Sequence, residues 1–140
     1  MKYEVKEMEL SQVISEACDR LSELGDEMQE AFDNTPKGLQ GSAIGEARQE
    51  AADQLTGLDK PSYHESLEAI KVKVNVPVRT VSAARRLSRS DRRDDAVALL
   101  RAALETLQES ESFSGVDELV SDLEQLIDDA EAVEFPGRSV

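Results

Sequence analysis

Residues 10–33, LSQVISEACDRLSELGDEMQEAFD, form the most regular stretch of the sequence. Their apolar side chains recur at intervals of three and four residues, from Leu10 to Phe32. That spacing places them on one face of an α-helix, while most of the glutamates and aspartates fall on the other face. The stretch therefore predicts an amphipathic helix of more than six turns. Gly25 is expected to be a weak point inside it, because glycine is about 1 kcal/mol less favourable than alanine there.

A second helix is expected shortly after the first. The segment DNTPKG at residues 33–38 combines Asn, Pro and Gly, which together predict the end of the first helix. Ser42 is a favourable N-cap residue, and the apolar pattern that follows it continues to about Leu55. We expect these two helices to pack as an antiparallel hairpin over residues 10–58.

The middle of the chain, residues 59–89, is predicted to be a linker that contains a short β-strand. In residues 71–79 valines alternate with polar residues, which is the clearest strand pattern in the sequence. Pro77 restricts this strand to a sheet edge or an irregular position, because proline has no backbone N–H to donate. Three partners remain open for its backbone groups: the weaker strand pattern at residues 2–6, a second subunit, or another protein. The valines predicted to take part in strand pairing are Val72, Val74, Val76 and Val78.

Two more helices are predicted in the last third of the chain. The third begins near Ser90, and a break at residues 110–115 separates it from the fourth. The fourth helix ends at the FPG segment of residues 135–137. We expect a second antiparallel hairpin over residues 90–134. The predicted fold class is therefore all-α, with two antiparallel helical hairpins joined by the linker and its short strand, in a single domain of residues 1–140.

The charge of the chain is large and unevenly placed. Thirty acidic residues against 16 basic residues give a formal net charge of −14 over 140 residues. Residues 78–101 contain seven arginines and three acids, whereas residues 102–134 contain eleven acids and no base. Such a charge disfavours indiscriminate binding to nucleic acid or to anionic lipid. The expected partners are basic protein surfaces or further copies of the chain.

The first candidate site is the acidic face of the fourth helix. Helices usually mix charges, because opposite charges four residues apart stabilise a helix by about 0.2–0.5 kcal/mol. The absence of cations from this helix indicates that its negative electric field has a function. Examples are binding a basic surface on a partner protein and mimicking the phosphates of a nucleic acid. The alternative is a merely solvated face. The residues assigned to this acidic face are Asp117, Glu118, Asp122, Glu124, Asp128, Asp129 and Glu131, with Glu134 just beyond.

The second candidate site is an arginine cluster in residues 79–93. Its members are Arg79, Arg85, Arg86, Arg89, Arg92 and Arg93. Arginines of this kind bind phosphates in nucleic-acid-binding proteins. We favour a contact with the chain's own acidic helices, or with those of a second subunit, because no aromatic residues alternate with the arginines to stack on bases.

The sequence lacks the residues that most catalytic and metal centres need. With one histidine and one cysteine, the chain is expected to have no metal site, no cofactor and no enzymatic activity. We interpret Cys18 as a small thiol at the edge of the core. No run approaches the ~20 apolar residues of a membrane-spanning helix, and residues 1–12 lack the apolar segment of a secretory signal. The expected location is the cytoplasm of a host cell, or a virion if the protein is structural.

The host is suggested by a resemblance. Residues 27–55, and above all NTPKGLQ at 34–40 followed by Gly45 and Glu46, resemble a helical-hairpin segment of small uncharacterised proteins of tailed bacteriophages. RRDDAV at residues 92–97 is similar to the second half of such proteins. The resemblance implies a phage or prophage origin and transfers no catalytic residues.

Three functional hypotheses follow. The leading one is a non-enzymatic phage accessory protein whose acidic face binds a basic surface of a host or phage protein, with inhibitors and nucleic-acid mimics as examples. The second is a structural or assembly component of the virion, in which the strand at 71–79 and the arginine cluster hold neighbouring copies together. The third is nucleic-acid binding through residues 79–93.

Overall fold

The computed structural model describes residues 3–58, 60–63, 65–109 and 116–135. The described part is mostly helical, as the sequence predicts, and it also contains a small two-stranded sheet. Its elements, in chain order, are β1 (Tyr3–Glu9), α1 (Leu10–Asp33), α2 (Lys37–Gln40), α3 (Ala43–Thr56), a 3₁₀ turn (Glu65–Leu67), β2 (Lys71–Pro77), α4 (Val81–Arg85), α5 (Arg89–Glu109) and α6 (Val116–Glu131).

Helix α1 has the predicted length and the predicted buried face. It begins directly after β1, where the backbone N–H of Glu9 donates to Gln12 Oε1 over 3.2 Å. It ends at Asp33, and the predicted breaker segment follows, with the short helix α2 starting after Pro36. The residues that α1 buries are Leu10, Val13, Ile14, Ala17, Leu21, Leu24, Gly25 and Met28.

Helix α3 packs closely against α1. The predicted cap is confirmed, since Ser42 Oγ accepts the backbone N–H of Gly45. A Cβ atom added to Gly25 would lie 2.8 Å from Thr56 Cγ2 and 3.1 Å from Leu55 Cβ. The glycine that weakens α1 by propensity therefore allows α3 to approach it.

The strand partner is the N-terminal strand, one of the three that the sequence left open. β1 and β2 pair antiparallel from Tyr3 opposite Pro77 to Glu9 opposite Lys71. Both predicted boundaries need correction: β1 extends to Glu9 rather than residue 6, and β2 ends at Pro77 rather than residue 79. Val78 therefore lies outside β2, and continuing the register would place it opposite residue 2, which is outside the described residues.

The inner face of the sheet contributes to the core. Val72 and Val74 are fully or almost fully buried, and Val76 is partly buried. These side chains face the helices, because β2 contacts both α5 and α1. The valines that we assigned to strand pairing therefore also supply core side chains to the chain itself.

Helix α5 lies at the centre of the molecule. It packs against α1, α6 and β2, and α1 packs in turn against α3 as well as α5. The residues that we assigned to two hairpins therefore share one hydrophobic core. This central position explains why α5 buries side chains on more than one side, including Leu99 as well as the predicted Val97 and Leu100.

Residues 79–93 are more helical than the sequence predicts. Thr80 caps the short helix α4, accepting the Ala83 N–H over 3.1 Å, inside a segment that we had assigned to the linker. Helix α5 begins at Arg89, one residue before the predicted start. The predicted break at 110–115 and the residues from 136 onward lie outside the described residues. In the part of the chain that is described, no helix combines the length and apolarity needed to span a bilayer.

Candidate functional site

The acidic face lies on the solvent side of α6. The helix buries Leu119, Leu123, Leu126, Ile127 and Ala130 on its other side, together with Val116 at its start. Because apolar side chains recur every three or four residues, the intervening positions are left on the outer surface. All seven acids assigned to this face are exposed, and so is Glu134.

Few of these carboxylates have a basic partner. Arg101 Nη2 lies 2.6 Å from Glu131 Oε1, at the C-terminal end of the helix. Among the described residues this is the one ion pair made by the acidic face. Asp129 accepts a hydrogen bond of 2.9 Å from the uncharged side-chain amide of Gln125. The remaining charge is thus directed to solvent.

A groove of about 360 Å³ runs beside the acidic face. One wall contains Gly57, Leu58 and residues 60–62, and the other contains Asp122 and Asp129, which lie two turns apart on α6. Lys60 also lines the groove, but its Nζ donates to Ser15 Oγ on α1 over 2.6 Å. Two carboxylates flanking a groove form a suitable environment for a lysine or arginine side chain from another molecule.

Part of the arginine cluster instead binds α1. Arg92 forms a bidentate pair with Glu27, with Nη1 2.8 Å from Oε1. Arg89 Nε lies 3.5 Å from the same carboxylate and is buried without a hydrogen-bond partner among the described residues. The hydrogen bond from Arg92 and the nearby positive charges lower the pKa of Glu27, against a smaller opposing effect of burial. The same hydrogen bond raises the pKa of Arg92.

Arg93 caps the C-terminal end of α6. Its Nη1 donates to the carbonyl oxygens of Ala130 at 3.1 Å, Glu131 at 3.3 Å and Val133 at 2.9 Å. Its guanidinium lies 5.6 Å from the ring centroid of Phe135, a cation–π distance. The last carbonyls of a helix have no partner within the helix, and they carry the negative end of its dipole. Arg93 therefore supplies both hydrogen bonds and compensating charge.

The other three arginines lie near α4. Arg79 forms a bidentate pair with Asp95 at 2.8 and 3.2 Å, and this hydrogen bonding raises the pKa of Arg79. Arg86 Nε donates to the nearby Ser82 carbonyl. Arg85 is exposed and makes no ion pair within the described part of the chain. Arg85 and Arg86 line an open groove of about 950 Å³, together with the segment before α4 and Asp91 near the start of α5.

The sequence found these arginines but not what each one contacts. The favoured interpretation, a contact with the chain's own acidic helices, describes Arg89 and Arg92, which contact Glu27 of α1. Arg79 instead pairs with Asp95 of α5, inside the arginine-rich segment. The interpretation missed the role of Arg93, whose Nη1 binds backbone carbonyls at the end of α6 while its Nε pairs with the neighbouring Asp94 at 2.7 Å. The sequence contained two signals for this role, which are the basic residue Arg93 near the start of α5 and the aromatic residue Phe135 after α6. Linking them requires knowing that α5 and α6 are neighbours in the fold.

Metal ligands and Cys18 are the remaining candidates for chemistry. No three histidine, cysteine or acidic side chains among them are placed to hold a metal ion. Cys18 is half-buried at the edge of the core, and burial raises the pKa of its thiol, which disfavours the reactive thiolate.

Comparison with known proteins adds no functional assignment. No protein-family model matches the chain, and no curated protein or solved structure is significantly similar to it. The candidate sites are therefore compared by their charge, burial and contacts.

Proposed function

We propose that the protein binds a basic surface of a partner protein through the acidic face of α6, without catalysing a reaction. The observation that carries the proposal is the contrast in pairing between this face and the arginine cluster. Arg79, Arg89, Arg92 and Arg93 bind within the chain, yet none of them pairs with an acidic side chain of α6. The arginine cluster thus leaves the acidic face available, and Arg101, which is outside the cluster, pairs with Glu131 at one end of that face.

The density of charge on the acidic face supports mimicry of a nucleic acid. From Asp117 to Glu131 the helix rises about 21 Å, at ~1.5 Å per residue. Seven carboxylates over that length give one negative charge per ~3 Å, close to the ~3.4 Å spacing of phosphates along one DNA strand. A protein groove that binds one strand through lysines and arginines is therefore a suitable partner for α6.

The groove beside α6 supports an anchored contact. Asp122 and Asp129 line it together with the partly buried Leu58, so it offers carboxylates for a cationic head and an apolar surface for its aliphatic stem. An arginine or lysine of the partner that enters here would pair with one or both carboxylates. The negative field of the acidic face attracts a basic partner without fixing its position. A contact in this groove would fix that position.

The resemblance to phage proteins supplies the setting of the proposal. The protein would act in the cytoplasm of a bacterial host, as an accessory protein of a phage or prophage. Nucleic-acid binding through residues 79–93 has less support, because most of the arginine cluster is already bound within the chain. A virion component held together by Val72 and Val74 also has less support, since these side chains are buried in the core of one chain.

The test compares two double variants of equal charge. Asp122→Asn with Asp129→Asn neutralises the groove side of α6, and Asp19→Asn with Asp26→Asn neutralises exposed positions of α1 at the same spacing. Binding of a fluorescent arginine-rich peptide is measured by anisotropy at low and physiological salt. We expect the α6 pair to weaken binding about threefold to tenfold, since exposed ion pairs contribute ~0.2–1 kcal/mol each. The α1 pair should change it less than about twofold.

Equal losses of peptide affinity in both double variants would contradict the proposal, because they would show that binding depends on the net charge of the protein and not on the acidic face of α6. A second measurement addresses mimicry: the protein competes with duplex DNA for a DNA-binding domain that has a basic groove. The expected result is displacement of DNA by the unmodified protein and by the α1 variant at similar concentrations, and by the α6 variant only at about threefold to tenfold higher concentration. If the unmodified protein fails to displace DNA, the mimicry hypothesis is wrong. The proposal of binding to a basic protein surface then depends on the peptide measurement.

A further inference from the structure

The outer edge of β1 is open in the described part of the molecule. β1 pairs with β2 along one edge, and no other described strand pairs with it. Residues 3–7 are exposed, and the apolar side chains of Tyr3 and Val5 are 60% and 62% accessible. An open strand edge with apolar side chains is a template for another strand.

The register shows which backbone groups point to that edge. The Leu10 N–H donates to the Ile70 oxygen over 2.8 Å, which continues the β1–β2 register. In an antiparallel pair, hydrogen-bonded and non-hydrogen-bonded positions alternate. The even-numbered residues of β1 therefore bond to β2, and Tyr3, Val5 and Glu7 direct their N–H and C=O groups to the open edge.

The sequence of β1 is complementary to itself in one antiparallel register. If two copies meet with Val5 opposite Val5, Glu4 of each copy lies opposite Lys6 of the other. This register uses the outward-pointing groups of Tyr3, Val5 and Glu7, and it places Glu4 and Lys6 at the closer, non-hydrogen-bonded positions. Moving the centre by one residue sets Glu4 against Glu4 or Lys6 against Lys6, so charge selects the register centred on Val5.

The open edge of β2 is less suitable for the same interaction. Pro77 lacks a donor at one end, while Lys71 and Lys73 place like charges along the strand. Proline and lysine at an edge discourage strand addition. The geometry thus points to β1 rather than to residues 71–79, where the sequence had placed pairing between copies.

We propose that β1 is a homodimerisation edge, at which two copies join their sheets into one four-stranded antiparallel sheet. The occupant is a second copy of this chain, chosen by the Glu4–Lys6 charge pairs. On one face of the new sheet the two Val5 side chains meet, with Tyr3 of each copy diagonal to them. This inference goes beyond the proposed function and involves no residue of α6.

Charge exchange tests this edge directly. Sedimentation velocity over a range of concentrations is measured for the unmodified protein, Glu4→Lys, Lys6→Glu and the double variant that carries both changes. We expect a concentration-dependent dimer for the unmodified protein, with dissociation constants raised at least ~tenfold in each single variant. The double variant should restore the dimer, because the pairs are exchanged but remain complementary. An equimolar mixture of the two single variants should form a heterodimer.

The net charge provides an internal control. Glu4→Lys brings the chain two units closer to neutrality, so a general repulsion model predicts tighter association for it, whereas edge pairing predicts weaker association. Circular dichroism verifies that each variant is folded. A monomeric unmodified protein at the highest concentration, or a dimer that is unchanged in both single variants, would overturn the proposal.

Discussion

Helices α1 and α6 are both amphipathic and acidic, but their carboxylates have different surroundings. On α1, Glu27 lies between Arg89 and Arg92 of α5, and Glu16 pairs with Arg20 one turn away at 3.0 Å. On α6, a single pair with Arg101 at one end is found among the described residues, and the backbone rather than the acids receives Arg93. The comparison indicates that Arg89 and Arg92 link α1 to α5, and that Arg93 stabilises the end of α6. The acidic face of α6 remains free for other contacts.

The largest expected effect comes from Arg93→Ala, because this arginine holds α6 without neutralising its acidic face. The Arg93 side chain is only 14% exposed, and its loss removes a donor from three carbonyl oxygens at the end of α6. Of these three, the Ala130 oxygen also accepts the Val133 N–H at 3.3 Å. We expect the free energy of unfolding to fall by about 2–3 kcal/mol, measured by urea denaturation.

The control for this variant is Arg86→Ala, at an exposed arginine of the same cluster. It should change the free energy of unfolding by less than ~0.5 kcal/mol. Similar losses in the two variants would mean that total positive charge, rather than the cap on α6, stabilises the fold.

A smaller effect is expected from Glu27→Gln, and it depends on pH. The pKa of Glu27 is lowered in the folded protein, so the unfolded chain binds this proton more readily. The stabilisation is therefore present above the unfolded glutamate pKa of about 4.3 and is lost as the pH falls through the lower, folded value. Since both side chains are 35% exposed, we expect the variant to lose about 1 kcal/mol at pH 7.

The measurement is the difference in free energy of unfolding between the unmodified protein and Glu27→Gln at pH 7 and pH 3. The difference should shrink at the lower pH. In an Arg92→Ala background, Glu27→Gln should have a much smaller effect at either pH, because the main partner is already absent. A difference that is independent of both pH and Arg92 would show that the carboxylate acts through packing.

The smallest effect on stability is expected on α6. Asp122→Asn with Asp129→Asn removes charge from a face that has few internal partners. We expect a change below ~0.5 kcal/mol, in the stabilising direction because like-charge repulsion decreases. Thermal unfolding at low and high salt is the measurement, and added salt should diminish the gain. A decrease of more than ~1 kcal/mol in the free energy of unfolding would show that Asp122 and Asp129 stabilise the fold. The acids of α6 would then not differ from Glu27 of α1 in this respect.

The sequence predicted the elements better than their neighbours. The apolar periodicity of residues 10–33 gave both the length of α1 and the face it buries, because a buried stripe requires the helical period whatever packs on it. The same periodicity contains no information on which helix covers that stripe. The packing of α1 on α5, which positions Glu27 beside Arg89 and Arg92, therefore could not be predicted from it.

Gly25 and Arg93 show why local rules miss long-range contacts. The cost of Gly25 is visible in helix propensity, but its benefit depends on Thr56 in another helix. Arg93 looked like one member of a basic cluster, and its role arises from carbonyl groups about 40 residues away in the chain. The acidic face was predictable because exposure on α6 follows from its own periodicity. Whether a base lies opposite could be judged only from the structure.

The pairing of β1 with β2 has a consequence for the order in which the molecule assembles during synthesis. β1 cannot form its hydrogen bonds until the ribosome has made residues 71–77, which follow Glu9 by about 60 residues. At roughly 5–20 residues per second, β1 waits several seconds for its partner. Throughout that interval its strand is open on both edges, and chains growing on the same messenger RNA carry the same self-complementary segment. Synthesis is therefore the stage at which pairing between chains competes most strongly with pairing within one chain.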